Sequence, residues 1–392
     1  MDADNIKQIN RIKNCDIVIG IPSFNNKDTI SNVINAVDEG LIKYYATKKS
    51  VIVVSDGNSF DSTYCVANNL LTISDKIVTK YIGIPGKGSA IREIFEISKR
   101  LGAKAIVTVD ADLRSITPDW VFNLVEPILS RNVDMVTPIY YRNKYDATIT
   151  RLFVRPLINA LFKRDLQQPI GGDFSFSQKF VEHCLKQNVW STKIAKFGID
   201  IWLTSTAILD AFSMNQAALG NKIHDEKAPT DLGKMFMEVA DTLFNIILDN
   251  KDKWKETGYP REIPKFMGVP IDVFAVDKRK PDVTLTVLSI MSILEKTLSH
   301  FKKITETFLN LESTELMLSM MDKLWPTIVF QFIMLYNKSD NAELSQEILK
   351  LFVAFYYGKC VKHFDKVATE DINLIETNVI HQFIAASKEF RV

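Results

Sequence analysis

Two carboxylates at i and i+2, Asp110 and Asp112, close the apolar run Ala105-Ile106-Val107-Thr108-Val109. Such a run reads as a buried strand, and open α/β sheets bind ligands beyond the carboxyl ends of their strands. Two hard oxygen donors at that rim suit a divalent cation such as Mg²⁺ or Mn²⁺, and such a cation suits a diphosphate. Asp-x-Asp alone is equally a solvated strand-end turn, so the flanking residues must decide.

Upstream, Ile84-Pro85-Gly86-Lys87-Gly88-Ser89 lies between a predicted strand and a predicted helix. The glycines would free backbone N–H groups to approach an anion, the helix N-terminus would add its dipole, and Lys87 would supply a point charge for a phosphate. The GxxxxGK[ST] spacing of a Walker A loop is absent. Pro22-Ser23-Phe24-Asn25-Asn26 and Ser55-Asp56-Gly57-Asn58 end two further strands. Asp56 is suited to accept hydrogen bonds from a nucleobase or ribose, and an Asx-type turn explains it as readily.

The elements that must position these residues follow from periodicity. Asp16 to Ile21, Ser50 to Val54, Ile77 to Ile82, Ala105 to Val109 and Met135 to Tyr140 read as strands, several apolar throughout. Thr29 to Glu39, Ser62 to Leu71, Ser89 to Arg100 and Asp119 to Ser130 read as the helices between them. Alternation of this kind predicts an α/β fold with a mostly parallel sheet and right-handed crossovers, so that every parallel strand delivers its carboxyl end to one edge. Residues 147 to 215 are mixed, with an amphipathic helix from Thr148 to Phe162 and a turn at Gly171-Gly172. After a polar loop from Leu219 to Thr230, Leu232, Met235, Phe236, Val239, Leu243, Phe244 and Ile247 recur at helical spacing, as do Leu285, Leu288, Ile293 and Leu294. The expected division is a catalytic α/β domain over 1–230 and an all-helical domain over 231–392, whose apolar stripes are core.

The chain has 392 residues, 46% hydrophobic and 24% charged, which is ordinary globular composition. Lys plus Arg number 48 against 47 for Asp plus Glu, so no global field favours nucleic acid or an acidic membrane, and any anion site must be local. Cys15, Cys65, Cys184 and Cys360 form no CxxC pair, which argues against a zinc site or a disulfide framework. The polar N-terminus lacks a secretory signal's apolar core, and the run from Ile328 to Tyr336 is too short for a bilayer. A cytoplasmic protein with no membrane span is expected.

The first-strand Pro, Ser-Asp-Gly at the second strand, Gly-Lys-Gly and Asp-Ala-Asp, in that order, resemble the GT-A nucleotide-sugar glycosyltransferases. Within them, residues 86 to 224 resemble the retaining enzymes that make mannosylglycerate, glucosylglycerate and glucosyl-3-phosphoglycerate. The resemblance is carried by Pro85 to Gly88, by Asp-Ala-Asp with Pro118-Asp119-Trp120, and by Arg142 with Tyr145 to Thr150. It continues through Gln168-Pro169-Ile170-Gly171-Gly172-Asp173, Phe197-Gly198-Ile199-Asp200 and Gly220-Asn221-Lys222-Ile223-His224. It implies a Rossmann-like GT-A domain followed by a helical region that supports the site and self-association into a homo-oligomer.

The resemblance also implies roles. Asp112 and His224 would ligate Mn²⁺ or Mg²⁺, with Asp110 beside them on the nucleotide-sugar. The donor would meet Pro22, Ser23, Phe24, Asp56, Gly86, Lys87, Asp110 and Ala111. Arg142 and Thr150 would meet the acceptor carboxylate, Arg142 through a bidentate guanidinium. Gly171, Gly172 and Asp173 would line the transferred sugar, and Asp200 would orient acceptor or sugar hydroxyls. Asp110, Asp200 and Lys87 are the catalytic candidates. Members that use 3-phosphoglycerate carry an Arg two residues before the equivalent of Thr150, where this chain has Thr148; Arg151, Arg155 or Lys144 could substitute. Related chains often carry Glu where Asn26 stands.

The function expected is metal-dependent, retaining transfer of mannose or glucose from a GDP- or UDP-sugar to D-glycerate, a compatible-solute synthesis. The alternatives are glucosyl-3-phosphoglycerate synthesis, and an inverting GT-A transferase with Asp173 as general base and a glycan acceptor. A nucleotidyltransferase would need a GxGxRL-type loop after the first strand, which Ile21 to Lys27 lacks. A catalytically silent binding module would have no use for Asp110, Asp112, Lys87 and His224 together.

Overall fold

The structure is a computed structural model of the chain, and it describes residues 3–224, 229–256, 261–274, 292, 314–339 and 341–390. The chain divides into two compact units: residues 1–142, 166–226 and 262–276 form the first, and residues 143–165, 227–261 and 277–392 the second.

In the first unit, α1 (Ala3–Ile12), β1 (Ile17–Ser23), α2 (Ile30–Tyr45), β2 (Ser50–Asp56), α3 (Thr63–Asn69), β3 (Asp75–Lys80), α4 (Lys87–Arg100), β4 (Ala105–Thr108), α5 (Pro118–Arg131) and β5 (Met135–Tyr141) alternate along the chain. They are followed by β6 (Phe174–Ser177), α7 (Gln178–Leu185), α8 (Ile199–Leu209), β7 (Met214–Asn221) and the two-residue β8 (Lys265–Phe266). The eight strands lie in the order β8-β7-β5-β6-β4-β1-β2-β3. Every pairing is parallel except those of β6, which runs antiparallel to both β4 and β5.

The sequence reason is burial on both faces. β1 and β4 are buried at every position, and β2 at all but its first, as expected of strands covered by helices on either side. Gly20 of β1 shows how close the cover lies: a Cβ there would stand 2.4 Å from Cγ2 of Ile94 in α4.

This topology gathers the chemistry. Because β1, β2, β3, β4, β5 and β7 share one direction, their carboxyl ends open on one edge, while antiparallel β6 starts from that edge. Phe24, Gly57, Tyr81, Asp110, Arg142 and Lys222 each follow a strand there, and Asp173 precedes one.

Two expectations are corrected in this unit. The loop expected to begin at Leu219 instead has its first three residues in β7; residues 225–228 lie outside the described residues. The short strand β6 was not anticipated.

In the second unit, a π-helical turn (Thr150–Val154) leads into α6 (Arg155–Phe162), so the helix expected from Thr148 is interrupted by a wide turn. The carbonyl of Leu152 in that turn accepts the Trp325 indole N–H at 2.7 Å. α9 (Pro229–Asp249), α10 (Lys251–Glu256), α11 (Thr314–Asn337), α12 (Ala342–Thr369) and α13 (Ile372–Ser387) complete it. Phe236, Val239, Leu243, Phe244 and Ile247 are buried, with Phe236 stacked on Tyr356 at 3.9 Å; the stripe is core. Leu285, Leu288, Ile293 and Leu294 lie outside the described residues. Among the described residues no helix is long and apolar enough to cross a membrane.

Candidate active site

The centre of the shared edge is a network of three carboxylates and two ammonium groups. Lys87, at the start of α4, places Nζ 2.8 Å from Asp110 Oδ1 and 3.1 Å from Asp200 Oδ2. Lys222, just past β7, places Nζ 2.8 Å from Asp110 Oδ2, 2.8 Å from Asp173 Oδ2 and 2.7 Å from the Gly171 carbonyl oxygen. The Asp110 N–H donates to Asp173 Oδ1 at 2.8 Å. The Tyr140 hydroxyl donates to Asp173 Oδ2, and the ammonium of Lys222 stands 5.0 Å from the centre of the Tyr140 ring.

Burial sets these groups against one another. It opposes the charged form of Asp110, but Lys222 and Lys87 outweigh it and hold that carboxyl well below the usual carboxylate range. Burial is also the largest influence on Asp173 and Asp200, and there it wins, raising both despite their lysine partners. Lys222 stays raised because the Asp110 and Asp173 carboxylates overcome its desolvation. Asp200 keeps one oxygen in reserve: Oδ1 is buried and has no hydrogen-bond partner among the described residues. A buried carboxylate oxygen in that state has unused acceptor capacity.

Gly172 makes the close approach of these groups possible. Its φ is +85°, and a Cβ would stand 2.4 Å from Asp110 Oδ2 and 2.8 Å from Lys87 Nζ. Gly171 is hemmed by Pro138, at 2.4 Å from the same imagined atom.

The Gly-Lys-Gly loop departs from its expected role. The Gly88 N–H donates to the Lys196 carbonyl at 3.2 Å and the Gly86 N–H to the Tyr81 hydroxyl at 2.8 Å. A Cβ on Gly88 would meet the Ile194 carbonyl at 2.0 Å. These glycines admit the turn at residues 193–195 against α4 and do not bare N–H groups for an anion; Lys87 alone brings positive charge.

Asp56 and Asp173 also depart from expectation. Asp56 is fully buried, and its oxygens accept from the Ser23 hydroxyl at 3.2 Å and from the Ser59 N–H and hydroxyl at 2.8 and 2.6 Å. It ties the ends of β1 and β2 together. Asp173 is fully buried with both oxygens engaged, so it organises Asp110 and Lys222 and does not face a sugar or an acceptor hydroxyl. Ala111 is buried, its carbonyl accepting from the Thr29 hydroxyl at 2.7 Å. Pro22 and Ser23 end β1, and Phe24 beyond them is 55% exposed.

Asp112 and His224 are brought together by backbone pairing. Leu113 and His224 form an antiparallel bridge, and the Arg114 N–H donates to the Ile223 carbonyl at 2.9 Å. Arg142 Nη2 lies 2.7 Å from His224 Nε2. No group of three His, Cys, Asp or Glu side chains suited to a metal occurs among the described residues. One carboxylate and one imidazole suit a Mg²⁺ or Mn²⁺ ion that takes its remaining ligands from a diphosphate and water. The ligand types fit a cation that binds with its nucleotide, which would take the place of the Arg142 guanidinium now donating to His224 Nε2 or bind through Nδ1.

Thr150 is buried in the second unit, at the first position of the π-helical turn. Thr148 is buried there too, its hydroxyl 2.6 Å from that of Tyr356. Two of the basic substitutes are committed in the same unit. Arg151 Nη1 donates to the carbonyls of Asn143, Lys144 and Asp146, and Arg155 pairs with Glu376 at 2.7 Å and Asp165 at 3.2 Å. Lys144 is exposed, with Nζ 5.3 Å from the centre of the Tyr145 ring.

Lys222, inside the Gly220 to His224 motif, and Tyr140, at the end of a predicted strand, both belong to the network without a role having been expected of either. Lys222 stands two residues before His224, and that spacing was the one local signal for it.

Among known protein families, residues 18–182 match the model described as glycosyl transferase family 2. The glucosyl-3-phosphoglycerate synthase of Petrotoga mobilis is 25% identical over 319 residues, covering 72% of this chain and 91% of that protein. Among solved structures, glucosyl-3-phosphoglycerate synthase from Mycobacterium tuberculosis in complex with phosphoglyceric acid aligns with a TM-score of 0.48 at 22% identity, over 61% of this chain and 83% of that one. The same enzyme with Mn²⁺, UDP and glucosyl-3-phosphoglycerate aligns with a TM-score of 0.47 at 22% identity, over the same shares.

Proposed function

We propose that the chain, whose residues 18–182 match the glycosyl transferase family 2 model, is a hexosyltransferase and that its reaction is retaining transfer of glucose from a nucleoside diphosphate sugar to the 2-hydroxyl of 3-phosphoglycerate. The observation that carries sugar transfer is Asp200: its Oδ2 pairs with Lys87, which also holds Asp110, while its buried Oδ1 has no hydrogen-bond partner among the described residues. The curated relative, matched over nine-tenths of its length, supports glucose and the phosphorylated acceptor.

Asp112 and His224 would hold Mn²⁺ or Mg²⁺, which when bound neutralises charge on the diphosphate leaving group. Lys87 contributes a fixed positive charge on the same edge, and Asp200 Oδ1 accepts a hydrogen bond from a hydroxyl and so fixes a sugar or acceptor in place. The bond from the anomeric carbon to the diphosphate oxygen breaks as the bond to the acceptor oxygen forms on the same face. The acceptor's proton passes to the departing phosphate oxygen. No protein nucleophile is required. An inverting course would need Asp173 as base, and its burial and full hydrogen bonding speak against that role.

A second reading, D-glycerate as acceptor, has one observation in its favour. Thr148 stands where users of 3-phosphoglycerate carry Arg, and its hydroxyl is spent on Tyr356, while Arg151 and Arg155 are held by carbonyls and carboxylates.

The test is product formation with Mn²⁺ or Mg²⁺ across UDP-glucose, GDP-glucose and GDP-mannose, each offered with 3-phosphoglycerate and with D-glycerate, the anomer read by NMR. An α-glucosyl 3-phosphoglycerate is expected. An α-hexosylglycerate formed only from unphosphorylated glycerate would establish the second reading. A β-linked product would overturn retention.

A further inference from the structure

The loop at residues 143–147, which follows Arg142 and leads toward the π-helical turn, turns its carbonyls onto one guanidinium. Arg151 Nη1 donates to the carbonyl oxygens of Asn143 at 2.9 Å, Lys144 at 3.1 Å and Asp146 at 2.8 Å. The loop also closes on itself: the Tyr145 N–H donates to Asn143 Oδ1 at 2.9 Å, and the Asp146 N–H to the Asn143 carbonyl at 3.0 Å. Ala147 holds a left-handed φ of 59°, which a residue with a Cβ keeps only where its surroundings impose it. The Tyr145 ring meets Phe364 of α12 edge to face at 5.9 Å, and the Thr148 hydroxyl meets that of Tyr356.

A buried guanidinium that gives one nitrogen to backbone carbonyls still needs a counter-charge. Arg151 is buried, and Glu376 supplies that charge: Oε1 lies 2.7 Å from Arg151 Nε. The other oxygen, Oε2, lies 2.7 Å from Nη1 of Arg155. Arg151 stands inside the π-helical turn and Arg155 directly after it, where the Arg155 N–H donates to the Thr150 carbonyl. One carboxylate therefore spans the wide turn. Glu376 is itself fixed near the start of α13, which is capped by Asp371, whose Oδ1 accepts from the Asn373 N–H at 2.9 Å and the Leu374 N–H at 3.1 Å.

The two arginines depend on Glu376 for different things. Arg155 keeps the carboxylate of Asp165, at 3.2 Å, when Glu376 is neutralised, and none of its contacts named here is with the loop. Arg151 loses the carboxylate facing its Nε, and the carbonyls it gathers are those of the loop. A binding group is held to within a fraction of an ångström only when the residues behind it are held as well.

We infer that Glu376 is a positioning residue for the acceptor: through Arg151 it holds the loop that begins one peptide bond after Arg142, and so fixes the backbone from which the Arg142 guanidinium projects. The inference rests on the hexosyl-transfer reading above and deepens it, giving the last described helix of the chain a part in acceptor binding.

The test is steady-state kinetics of the full chain with Mg²⁺, UDP-glucose and 3-phosphoglycerate or D-glycerate, whichever the wild type uses, for Glu376→Gln, Arg151→Lys and Arg155→Gln. Glutamine keeps the shape of Glu376 without its charge, and lysine keeps the charge of Arg151 without its fork. Both variants should raise the acceptor KM by about tenfold or more and leave the donor KM unchanged. Arg155→Gln removes the other partner of the same carboxylate and should leave both KM values unchanged. Should Glu376→Gln fail to fold by circular dichroism, Arg151→Lys decides by the same split. An unchanged acceptor KM in a folded, active variant overturns the inference alone, as does a rise in Arg155→Gln equal to that in Glu376→Gln, which would reduce Glu376 to general support of the helices. A wild type that transfers to neither acceptor overturns the hexosyl-transfer reading and this inference together.

Discussion

Lys222 Nζ lies 2.8 Å from Asp110 Oδ2, at the end of a strand more than a hundred residues downstream of the Asp-Ala-Asp pair. The contact exists because β5, parallel to β7, lies one strand away from β4, with only β6 between them. Lys222 also neutralises Asp173, so its charge is shared by two buried carboxylates. Removing one partner of a buried ion pair leaves an uncompensated charge and costs about 3–5 kcal/mol. Lys222→Met should therefore lower unfolding free energy by about that much in urea titrations and abolish turnover. A variant as stable as the wild type would show that the network is solvated.

Arg142 Nη2 and His224 Nε2 are 2.7 Å apart, which joins the candidate acceptor residue to the candidate metal ligand. His224→Ala should fold normally, because the residue is only half-buried at the rim, and should lose Mn²⁺-dependent turnover by about a hundredfold or more. Its circular dichroism and its Mn²⁺ titration check the two halves separately; near-wild-type activity removes His224 from the metal. Arg142→Ala should raise the acceptor KM far more than the donor KM. Equal changes in both would assign Arg142 to support of His224.

The alternation from β1 to β5 was legible because β1, β4 and β5 are largely apolar, β2 and β3 have apolar centres, and the long helices between them are amphipathic. β6 is only four residues long, with Phe and Ser alternating, and β7 carries polar residues that tertiary partners satisfy. Gln216 in β7 is buried; its side-chain oxygen accepts from the Gln167 N–H and its own N–H donates to the Pro264 carbonyl. No local pattern announces such a strand. Asp110, Lys87 and Asp200 were readable as a set from their motifs. The burial of Asp56 and Asp173 was not, because a carboxylate's partners depend on sheet order: Ser23 reaches Asp56 only through the register of β1 with β2.

Gly172 tests how finely the network is placed. At φ +85° an alanine costs about 1–2 kcal/mol from backbone strain, and its methyl would displace Asp110 Oδ2, 2.4 Å from the Cβ position. Gly172→Ala should lower kcat by about a hundredfold or more, with a stability loss near the strain value alone. Wild-type kcat in a folded variant would mean that Asp110 tolerates displacement.

His363 in α12 gives the second unit its own pH signature. The imidazole is buried, 1% exposed. Burial, then the positive charges of Arg151 and Lys359, push its pKa from 6.5 down to about 3, with the Lys144 backbone and Asp322 opposing weakly. The folded state therefore holds the ring neutral, while the unfolded chain protonates it as pH falls below 6.5. Its contribution to stability is complete above pH 6.5 and is lost progressively between 6.5 and about 3. By pH 4.5 the loss is about 3 kcal/mol. Urea titrations of the wild type and His363→Leu at pH 7.5, 5.5 and 4.5 check this. The leucine variant should show a shallower decline, the gap between the curves widening toward low pH. Parallel curves would mean that His363 gains a proton in the folded protein as easily as in the unfolded chain.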